Sequence, residues 1–193
     1  MQQIARAKLP TKYGRFTIVV YRSIPDGREH TALILGKPKQ RALVRIHSEC
    51  LTGDTLFSLR CDCGIQLKKS FERLKRAGSG VLLYLGQEGR GIGLSAKIKA
   101  YALQDDGYDT IEANHALGLP ADARNYKIAA DMLGDLGLSE ISLLTNNPDK
   151  EQQLSSYGID IAKSIPLESA PNPSNRHYLR TKKQKMGHRL RKV

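Results

Sequence analysis

The sequence lacks any apolar run that approaches the roughly 20 residues needed to cross a bilayer. It has no tryptophan and only three phenylalanines, and it carries none of the aromatic signatures of RNA-binding modules. Its first residues, Met1 to Arg6, have no apolar centre of the kind that a secretory signal requires. These absences argue against a membrane protein and against nucleic-acid binding, and they make a cytoplasmic location the expectation.

Acidic residues are missing from the C-terminal segment 176–193, which contains eight lysines and arginines. The net charge of the chain is +12, but outside this segment 23 basic residues are matched by 19 acidic ones. A block of like charge is typical of a solvated tail. A contact with phosphate groups or nucleic acid is the alternative that the block leaves open.

Cysteine is scarce, and all three cysteines, Cys50, Cys61 and Cys63, lie in one short stretch. An odd number cannot pair completely within the chain, and thiols in the cytosol stay reduced. Three thiolates suit zinc, so the C-x10-C-x-C spacing indicates a metal site. The alternative is that these are three small buried core residues.

The absence of a fourth cysteine bears on what kind of zinc site this would be. Structural zinc sites have four protein ligands, whereas catalytic sites keep one position for water. An open site is therefore favoured, unless His47 or another histidine supplies the fourth ligand. Zinc in an open site lowers the pKa of a bound water towards roughly 7.

Hydrophobic patterning predicts alternating strands and helices. Strands are predicted at 16–21, 31–35, 43–47, 81–85, 141–144 and 161–167. Helices are predicted around 67–74, over 95–105, around 128–136, from 148 to about 158, and in the basic C-terminal segment. In the second helix, Ile98, Tyr101 and Ala102 are expected to face the core. The pattern predicts an α/β fold: a single domain with a mixed β-sheet, flanking helices and an antiparallel N-terminal part.

Two polar segments precede predicted helices. Residues 87–94, Q-E-G-R-G-I-G-L, follow a buried strand and offer backbone amides to an anion at a helix N-terminus. They match neither the dinucleotide fingerprint nor a Walker loop, so the glycines are weak evidence for a nucleotide site. Asp122 lies shortly before the next helix, where it is suited either to cap that helix or to act in a site.

Together these segments resemble the GTP cyclohydrolase II family, in its monofunctional form. The resemblance runs over nearly the whole chain and rests on five segments in the same order. They are R-I-H-S-E-C-L-T-G-D-x-L-x-S-L-R-C-D-C-G-x-Q-L, Q-E-G-R-G-I-G-L, Y-A-L-Q-D-x-G-Y-D-T-x-E-A-N-H, A-D-x-R and L-L-T-N-N-P.

The resemblance implies hydrolysis of GTP to formate, pyrophosphate and 2,5-diamino-6-(5-phosphoribosylamino)pyrimidin-4-one, the first step of riboflavin biosynthesis. It implies one Zn²⁺ on Cys50, Cys61 and Cys63, Mg²⁺ with the triphosphate, and a homodimer. The catalytic domain would span residues 1–175, with 176–193 as a basic helix or tail of the same domain.

The resemblance also assigns roles to single residues. It makes Asp122 a general base, Arg124 a nucleophile, and Tyr101 a residue near the zinc that is tied to ring opening. A guanidinium is a poor nucleophile, so electrostatic stabilisation of the transferring phosphate is the alternative role for Arg124. Core packing is the alternative for Tyr101. The implied GTP contacts are Arg45, Ile46, His47, Ser48, Glu49, Gln66, Glu88, Gly89, Arg90, Thr110, Thr145 and Lys150. Chemically, Glu49 or Glu88 suits the guanine edge, and arginines suit phosphate oxygens.

Two positions depart from the family pattern. Gly86 stands where a basic residue is common, and Asn125 stands where an aspartate is common; both bear on affinity and rate more than on reaction type. Two other functions stay open at this point. One is a paralogue that opens the ring without releasing formate, and the other is a small basic zinc protein that binds RNA.

Overall fold

The computed structural model describes all 193 residues, and seven strands form one mixed sheet in the order β1-β2-β3-β5-β4-β6-β7. The strands are β1 (Gln2–Thr11), β2 (Gly14–Arg22), β3 (Glu29–Leu35), β4 (Ala42–Ser48), β5 (Gly80–Leu85), β6 (Glu140–Leu144) and β7 (Asp160–Ile165). Strands β1, β2, β3 and β5 pair antiparallel in that order, and β6 pairs parallel with both β4 and β7. The α/β prediction with an antiparallel N-terminal part is confirmed.

Six α-helices accompany the sheet. They are α1 (Cys63–Ala77), α2 (Leu94–Asp105), α3 (Thr110–Ala116), α4 (Lys127–Asp135), α5 (Pro148–Ser156) and α6 (Arg176–Gln184). None of them combines the length and the apolar character that crossing a membrane requires. The predicted helices are all present, and α3 was not predicted.

Strand β1 was also not predicted from the pattern. It is the edge strand of the sheet, and nearly all of its ten residues are exposed. An exposed edge strand needs no alternation of apolar and polar residues, and charges such as Arg6 and Lys8 protect such an edge from pairing with another chain. The periodicity that identifies a half-buried strand is therefore missing here.

The sheet is covered on both faces, and β5 illustrates this arrangement. Val81 and Leu83 belong to a core cluster that includes Met132 of α4, whereas Leu82 packs in a second cluster with Leu74 of α1. Successive side chains of a strand point to opposite faces, so both faces of β5 are buried. This confirms the prediction that its apolar run forms a strand buried on both sides.

The chain forms two compact units. The first consists of residues 1–47, 67–86 and 125–167 and contains nearly all of the sheet. The second consists of residues 48–66, 87–124 and 168–193 and contains α2, α3 and α6 with the loops that join them.

The predicted orientation of α2 is wrong. Ile98 is 46% exposed and Ala102 is also exposed, whereas the buried residues of this helix are Lys97 and Ala100. A lysine takes the interior position because its ammonium finds polar partners there. Apolar periodicity alone points to the wrong face of such a helix.

The basic C-terminal segment is folded into the second unit, so the interpretation as a solvated tail is wrong. Leu179 and Leu190 are buried. The Lys185 ammonium pairs with the carboxylates of Asp109 and Glu112, which form the capping box of α3. Part of the basic charge is therefore used in ion pairs within the unit.

Gly80, at the start of β5, provides a test of this packing. A Cβ there would overlap the backbone oxygen of Leu43 and approach Cδ2 of Leu74 to 2.5 Å, at a φ of +153°. We expect Gly80→Ala to lower the free energy of unfolding by about 3 kcal/mol. The matched control is Gly134→Ala within α4, where a Cβ meets nothing within 4 Å. This substitution should raise the free energy of unfolding by about 0.5 to 1 kcal/mol, because alanine favours the helix over glycine. Urea denaturation measures both, and equal midpoints would contradict this close approach.

Candidate active site

Three cysteine side chains converge in the second unit. Cys50 follows β4, Cys63 is the first residue of α1, and Cys61 lies two residues before it. Their Sγ atoms all lie within 4.8 Å of one another, and those of Cys50 and Cys61 are 3.8 Å apart. A tetrahedral zinc with sulfur ligands at about 2.3 Å holds its sulfurs about 3.8 Å apart. The donor set and its spacing fit zinc, and the three cysteines are not unrelated core residues.

The three thiols differ in their proton affinities. Hydrogen bonds with Cys61 and Cys63, together with the nearby Lys97, hold the pKa of the Cys50 thiol far below its ordinary value. The hydrogen bond to Cys50 raises the pKa of the Cys61 thiol to about 11, and the pKa of Cys63 is raised for the same reason. The protein by itself stabilises one thiolate. Three thiolates at this spacing require a cation to offset their charge.

The loop after Cys50 packs closely against the sulfurs. Residues Leu51–Thr55 form a short π-helical turn, in which the backbone N–H of Leu56 donates to the oxygen of Leu51 at 3.1 Å. Gly53 in this turn faces the cysteines, and a Cβ there would lie 2.7 Å from Sγ of Cys61 and 3.2 Å from Sγ of Cys50. The absence of a side chain at Gly53 therefore allows the loop to pack closely against the cysteines. Turns of this kind are frequent at functional sites.

Lys97 of α2 is a site residue that sequence reasoning missed. Its buried ammonium donates to Sγ of Cys50 at 3.1 Å and to Oε1 of Glu88 at 2.8 Å. Burial lowers the pKa of Lys97, but Glu88 and Cys50 outweigh burial, so the pKa lies above its ordinary value and the side chain is charged. The signal available in the sequence was its position one helical turn before Tyr101.

Tyr101 lies beside the cysteine loop. Its hydroxyl is 3.5 Å from Oγ1 of Thr52, which in turn is 3.6 Å from Sγ of Cys50. The ammonium of Lys97 lies 5.7 Å from the centre of its ring, and the guanidinium of Arg60 lies 5.0 Å from it. Burial raises the pKa of Tyr101 to about 12, so this phenol keeps its proton at neutral pH.

The carboxylate of Glu88 is largely occupied by the protein itself. Besides Lys97, it accepts the backbone N–H of Leu51 at 2.6 Å and that of Gly89 at 2.7 Å. Glu88 thus connects the glycine-rich segment to the loop that follows Cys50. The other carboxylate considered for the guanine edge, Glu49, has its pKa raised by burial and by the neighbouring Glu88.

Arg90 presents unpaired hydrogen-bond donors. Its φ is +61° and that of Gly89 is +62°, so the chain turns through two left-handed residues. The oxygen of Arg90 accepts the backbone N–H of Ala123 at 3.0 Å, which fixes the turn. Nη1 and Nη2 of Arg90 are buried without a hydrogen-bond partner. Buried guanidinium donors without partners are costly, and an anionic ligand would satisfy them.

Asp122 holds Arg124 in a forked ion pair. Nε of Arg124 donates to Oδ1 at 2.9 Å and to Oδ2 at 3.1 Å, and Nη2 also donates to Oδ2. Burial raises the pKa of Asp122, but Arg124 and Arg90 outweigh burial, so the carboxylate stays ionised. Helix α4 begins at Lys127 with Tyr126 as its N-cap, so the interpretation of Asp122 as a helix cap is wrong.

His188 lies near several cations, including both of these arginines. Burial lowers its pKa to about 3, with further lowering by Lys182, Arg124 and Arg90. The imidazole is therefore neutral at physiological pH. A site with this many neighbouring cations is suited to a polyanion such as a triphosphate.

A second group of predicted contacts lies in the first unit. Nη1 of Arg45 donates to the oxygen of Leu144 at 3.0 Å, and Nζ of Lys150 donates to the oxygen of Ile46 at 2.8 Å. Oγ1 of Thr145 accepts the backbone N–H of Asn147 at 3.0 Å. The structure thus brings together the ends of β4 and β6 and the start of α5. The residues of these segments that were predicted to contact GTP therefore lie near one another.

The remaining predicted residues occupy separate positions. The ring of His47 stacks on Tyr84, with 5.6 Å between their centres. The hydroxyl of Ser48 donates to Gln87 at 3.4 Å, and Gln66 lies one turn into α1. Thr110 is the first residue of α3.

The two departures from the family pattern have local roles. The backbone N–H of Gly86 donates to Nδ1 of His30 at 3.1 Å. The side-chain oxygen of Asn125 accepts the backbone N–H of Lys127 at 2.7 Å, which supports the start of α4.

Comparison with known proteins agrees with the resemblance. A family model described as GTP cyclohydrolase II matches residues 2–166. The chain belongs to the GTP cyclohydrolase II family.

Relatives named GTP cyclohydrolase-2 match the chain along its length. The protein from Shigella boydii is 52% identical over 194 residues, covering 100% of this chain and 99% of the relative. The protein from Cronobacter sakazakii is 53% identical over 192 residues, covering 98% of each. A GTP cyclohydrolase-2 from Escherichia coli is 52% identical over 194 residues, covering 100% of this chain and 99% of its own.

A solved structure also shares the fold. It is a two-domain 3,4-dihydroxy-2-butanone 4-phosphate synthase from A. baumannii, with a TM-score of 0.50 and 23% identity over 87% of this chain and 40% of that one. At this identity the likeness concerns the fold alone. For this GTP cyclohydrolase II family member, the solved structure therefore adds nothing to the assignment of the cysteine cluster, which is based on the geometry of the cluster itself.

Gly53 provides a direct test of the metal site. We expect Gly53→Ala to reduce the zinc bound per chain by at least about tenfold in the presence of a competing chelator, because its methyl group would crowd the sulfurs. The control is Gly118→Ala, where a Cβ meets nothing within 4 Å although φ is +69°. Zinc content measured by atomic emission should be normal in the control, and a normal content in both variants would contradict the assignment.

Proposed function

We propose that this chain hydrolyses GTP to formate, pyrophosphate and 2,5-diamino-6-(5-phosphoribosylamino)pyrimidin-4-one, the first committed step towards riboflavin. The observation that carries the proposal is that a three-cysteine cluster with the spacing of zinc ligands lies in the same unit as two arginines, Arg90 and Arg124, that are suited to bind phosphate. Membership of the GTP cyclohydrolase II family supports the same reaction.

The proposed cofactor is one Zn²⁺ per chain, held by Cys50, Cys61 and Cys63, with Mg²⁺ accompanying the triphosphate. When bound, such a zinc supplies a Lewis acid and lowers the pKa of water in its open position. Removing C8 of guanine as formate consumes two waters, one at the ring carbon and one at the resulting formamide. Release of pyrophosphate consumes a third.

The residues around the cysteines are suited to orient this chemistry. Lys97 donates to Sγ of Cys50 and holds Glu88, which ties the loop in place. Tyr101 keeps its proton, so we propose that its hydroxyl orients water or donates a proton when the ring opens.

Guanine recognition falls more naturally to Glu49 than to Glu88. The N1–H and amino group of guanine donate two hydrogen bonds to a carboxylate, which must have free lone pairs. Glu88 already accepts from Lys97 and two backbone N–H groups. We propose that Glu49 binds the base and that Glu88 contributes by shaping the pocket.

The triphosphate is proposed to bind the cationic side chains. Arg90 has two donors without partners, and Asp122 holds Arg124 in a fixed orientation. We propose that Arg124 binds the α-phosphate. The complete proposed set of GTP contacts is Arg45, Ile46, His47, Ser48, Glu49, Gln66, Glu88, Gly89, Arg90, Thr110, Thr145 and Lys150.

We further propose that residues 1–175 and the segment 176–193 act as one catalytic domain. We propose a cytoplasmic homodimer. The RNA-binding alternative loses support because Lys182 and Lys185 are paired with acidic side chains of this chain. The paralogue that stops after ring opening has no observation in its favour.

An assay of products tests the reaction. Purified protein incubated with GTP and Mg²⁺ should release equimolar formate, pyrophosphate and pyrimidine, with about one zinc per chain. Cys61→Ser should lose zinc and turnover together. A formylated product without formate would indicate the paralogue, and turnover by protein without zinc would contradict the metal assignment.

Arg124→Lys tests the phosphate site. Lysine keeps the charge but cannot form the fork with Asp122, so we expect kcat to fall by at least about 100-fold while zinc content is unchanged. A covalent guanylyl adduct that mass spectrometry detects in the native enzyme and not in this variant would identify Arg124 as a nucleophile. Its absence under single-turnover conditions supports electrostatic stabilisation. A variant with native kcat would exclude both roles.

A further inference from the structure

The C-terminal helix α6 contacts the turn that carries two of the three cysteines. Lys182 is 9% exposed, and its Nζ donates to Oδ1 of Asp62 at 3.2 Å. Asp62 is 2% exposed and stands between Cys61 and Cys63. Its Oδ2 accepts from Nε2 of Gln66 at 2.5 Å. The residue between two metal-binding cysteines is thus attached to a helix more than a hundred residues later in the chain.

A second contact joins the same two segments. Asn175, directly before α6, is fully buried, and its Nδ2 donates to the backbone oxygen of Cys61 at 3.4 Å. Its side-chain oxygen accepts the backbone N–H of Asn172 at 2.8 Å, which fixes its orientation. The turn is therefore held through a backbone atom and through a side chain.

The same helix also contacts the proposed phosphate site. The ring of Tyr178 has Nζ of Lys182 at 5.1 Å from its centre and the guanidinium of Arg90 at 5.5 Å. Cations at this distance from an aromatic ring are attracted by its electron density. Residues of one helix turn therefore adjoin both the cysteine turn and the arginine with unpaired donors.

The ion pair of Lys182 and Asp62 is expected to contribute to the geometry of the turn rather than to the stability of the fold. A buried ion pair is commonly no more stabilising than apolar residues of the same size, because both charges lose their hydration. It does impose a defined distance and direction on its partners. At a metal site, groups that hold the ligands in place typically affect metal affinity by about 10- to 100-fold.

We propose that Lys182 is a positioning residue that, through Asp62, fixes the Cys61-Asp62-Cys63 turn in the geometry that binds the metal. The C-terminal helix is then a working part of the active site. This inference rests on the proposed zinc site. It gives the basic segment 176–193 a role in positioning the metal ligands of its own chain.

The decisive variant is Lys182→Met, which keeps the length of the side chain and removes its charge. If Lys182 positions the turn, release of zinc to a chromogenic chelator should be about tenfold faster or more. If Lys182 acts only through its charge, the sign is opposite, because removing a nearby cation strengthens the attraction between thiolates and zinc. Unchanged or slower release therefore overturns the proposal.

The matched control is Lys183→Met in the same helix, since Lys183 is exposed and its ammonium donates to the backbone oxygen of the terminal residue Val193. Its zinc release should equal that of the native protein. The cobalt-substituted Lys182→Met enzyme should also show shifted ligand-field absorption bands, whereas the cobalt-substituted control should not. Identical cobalt spectra in the two variants would count against a change in ligand geometry.

A second variant covers the case in which Lys182→Met fails to fold because Asp62 is left unpaired. Asp62→Asn with Lys182→Met removes both charges and leaves no lone buried ion. It should fold and still release zinc about tenfold faster than native protein, and native release rates would overturn the proposal. Failure of the zinc site itself looks different, since the native protein would then contain no zinc.

Discussion

Mutual repulsion among three sulfur atoms is the constraint on which the second unit depends. Thiolates within 4.8 Å of one another are stable only if nearby cations offset their negative charge. The unit places lysine side chains close to the cysteines. Lys97 contacts Sγ of Cys50 directly, and Lys182 neutralises the aspartate between the other two cysteines. This explains why two lysines, residues that are rarely buried, lie inside this unit.

The loops around the cysteines follow from the same requirement. The sulfurs of Cys50 and Cys61 leave no room for a side chain at Gly53. Gly64 is similarly confined, because a Cβ there would overlap the oxygen of Gly53. The left-handed turn at Gly89 and Arg90 leaves two buried donors unsatisfied. Strain and unpaired donors of this kind persist where function requires them, since nothing in the folded chain benefits from them.

Local patterns predicted the fold well and the site poorly. The run of Val81 to Leu85 identified a strand buried on both faces, because a purely apolar strand has no other stable position. The buried face of α2 was predicted wrongly because the polar partners of Lys97 lie outside this helix. The periodicity of apolar residues within the helix carries no information about such partners. The cysteine spacing indicated a metal, but the residue assignments came from the resemblance to a family.

The role of the C-terminal segment is the clearest example of information that local patterns lack. Eight basic residues without an acid look like a solvated tail, because pairing is invisible when the partners are distant in sequence. Lys182 meets Asp62 across 120 positions, and Lys185 meets Asp109 across 76. Charge in a sequence becomes interpretable only when the fold shows which charges are buried and paired.

The pairing of Arg124 with Asp122 bears on which of its two proposed roles this arginine is suited to. A guanidinium is a nucleophile only after losing a proton, and its very high ordinary pKa makes that costly. The ionised Asp122 raises this cost, because it stabilises the charged form through Nε and Nη2. The same fork fixes the direction of the positive charge without reorganisation, which is what stabilises charge developing on a transferred phosphate. The geometry therefore favours electrostatic stabilisation over covalent attack.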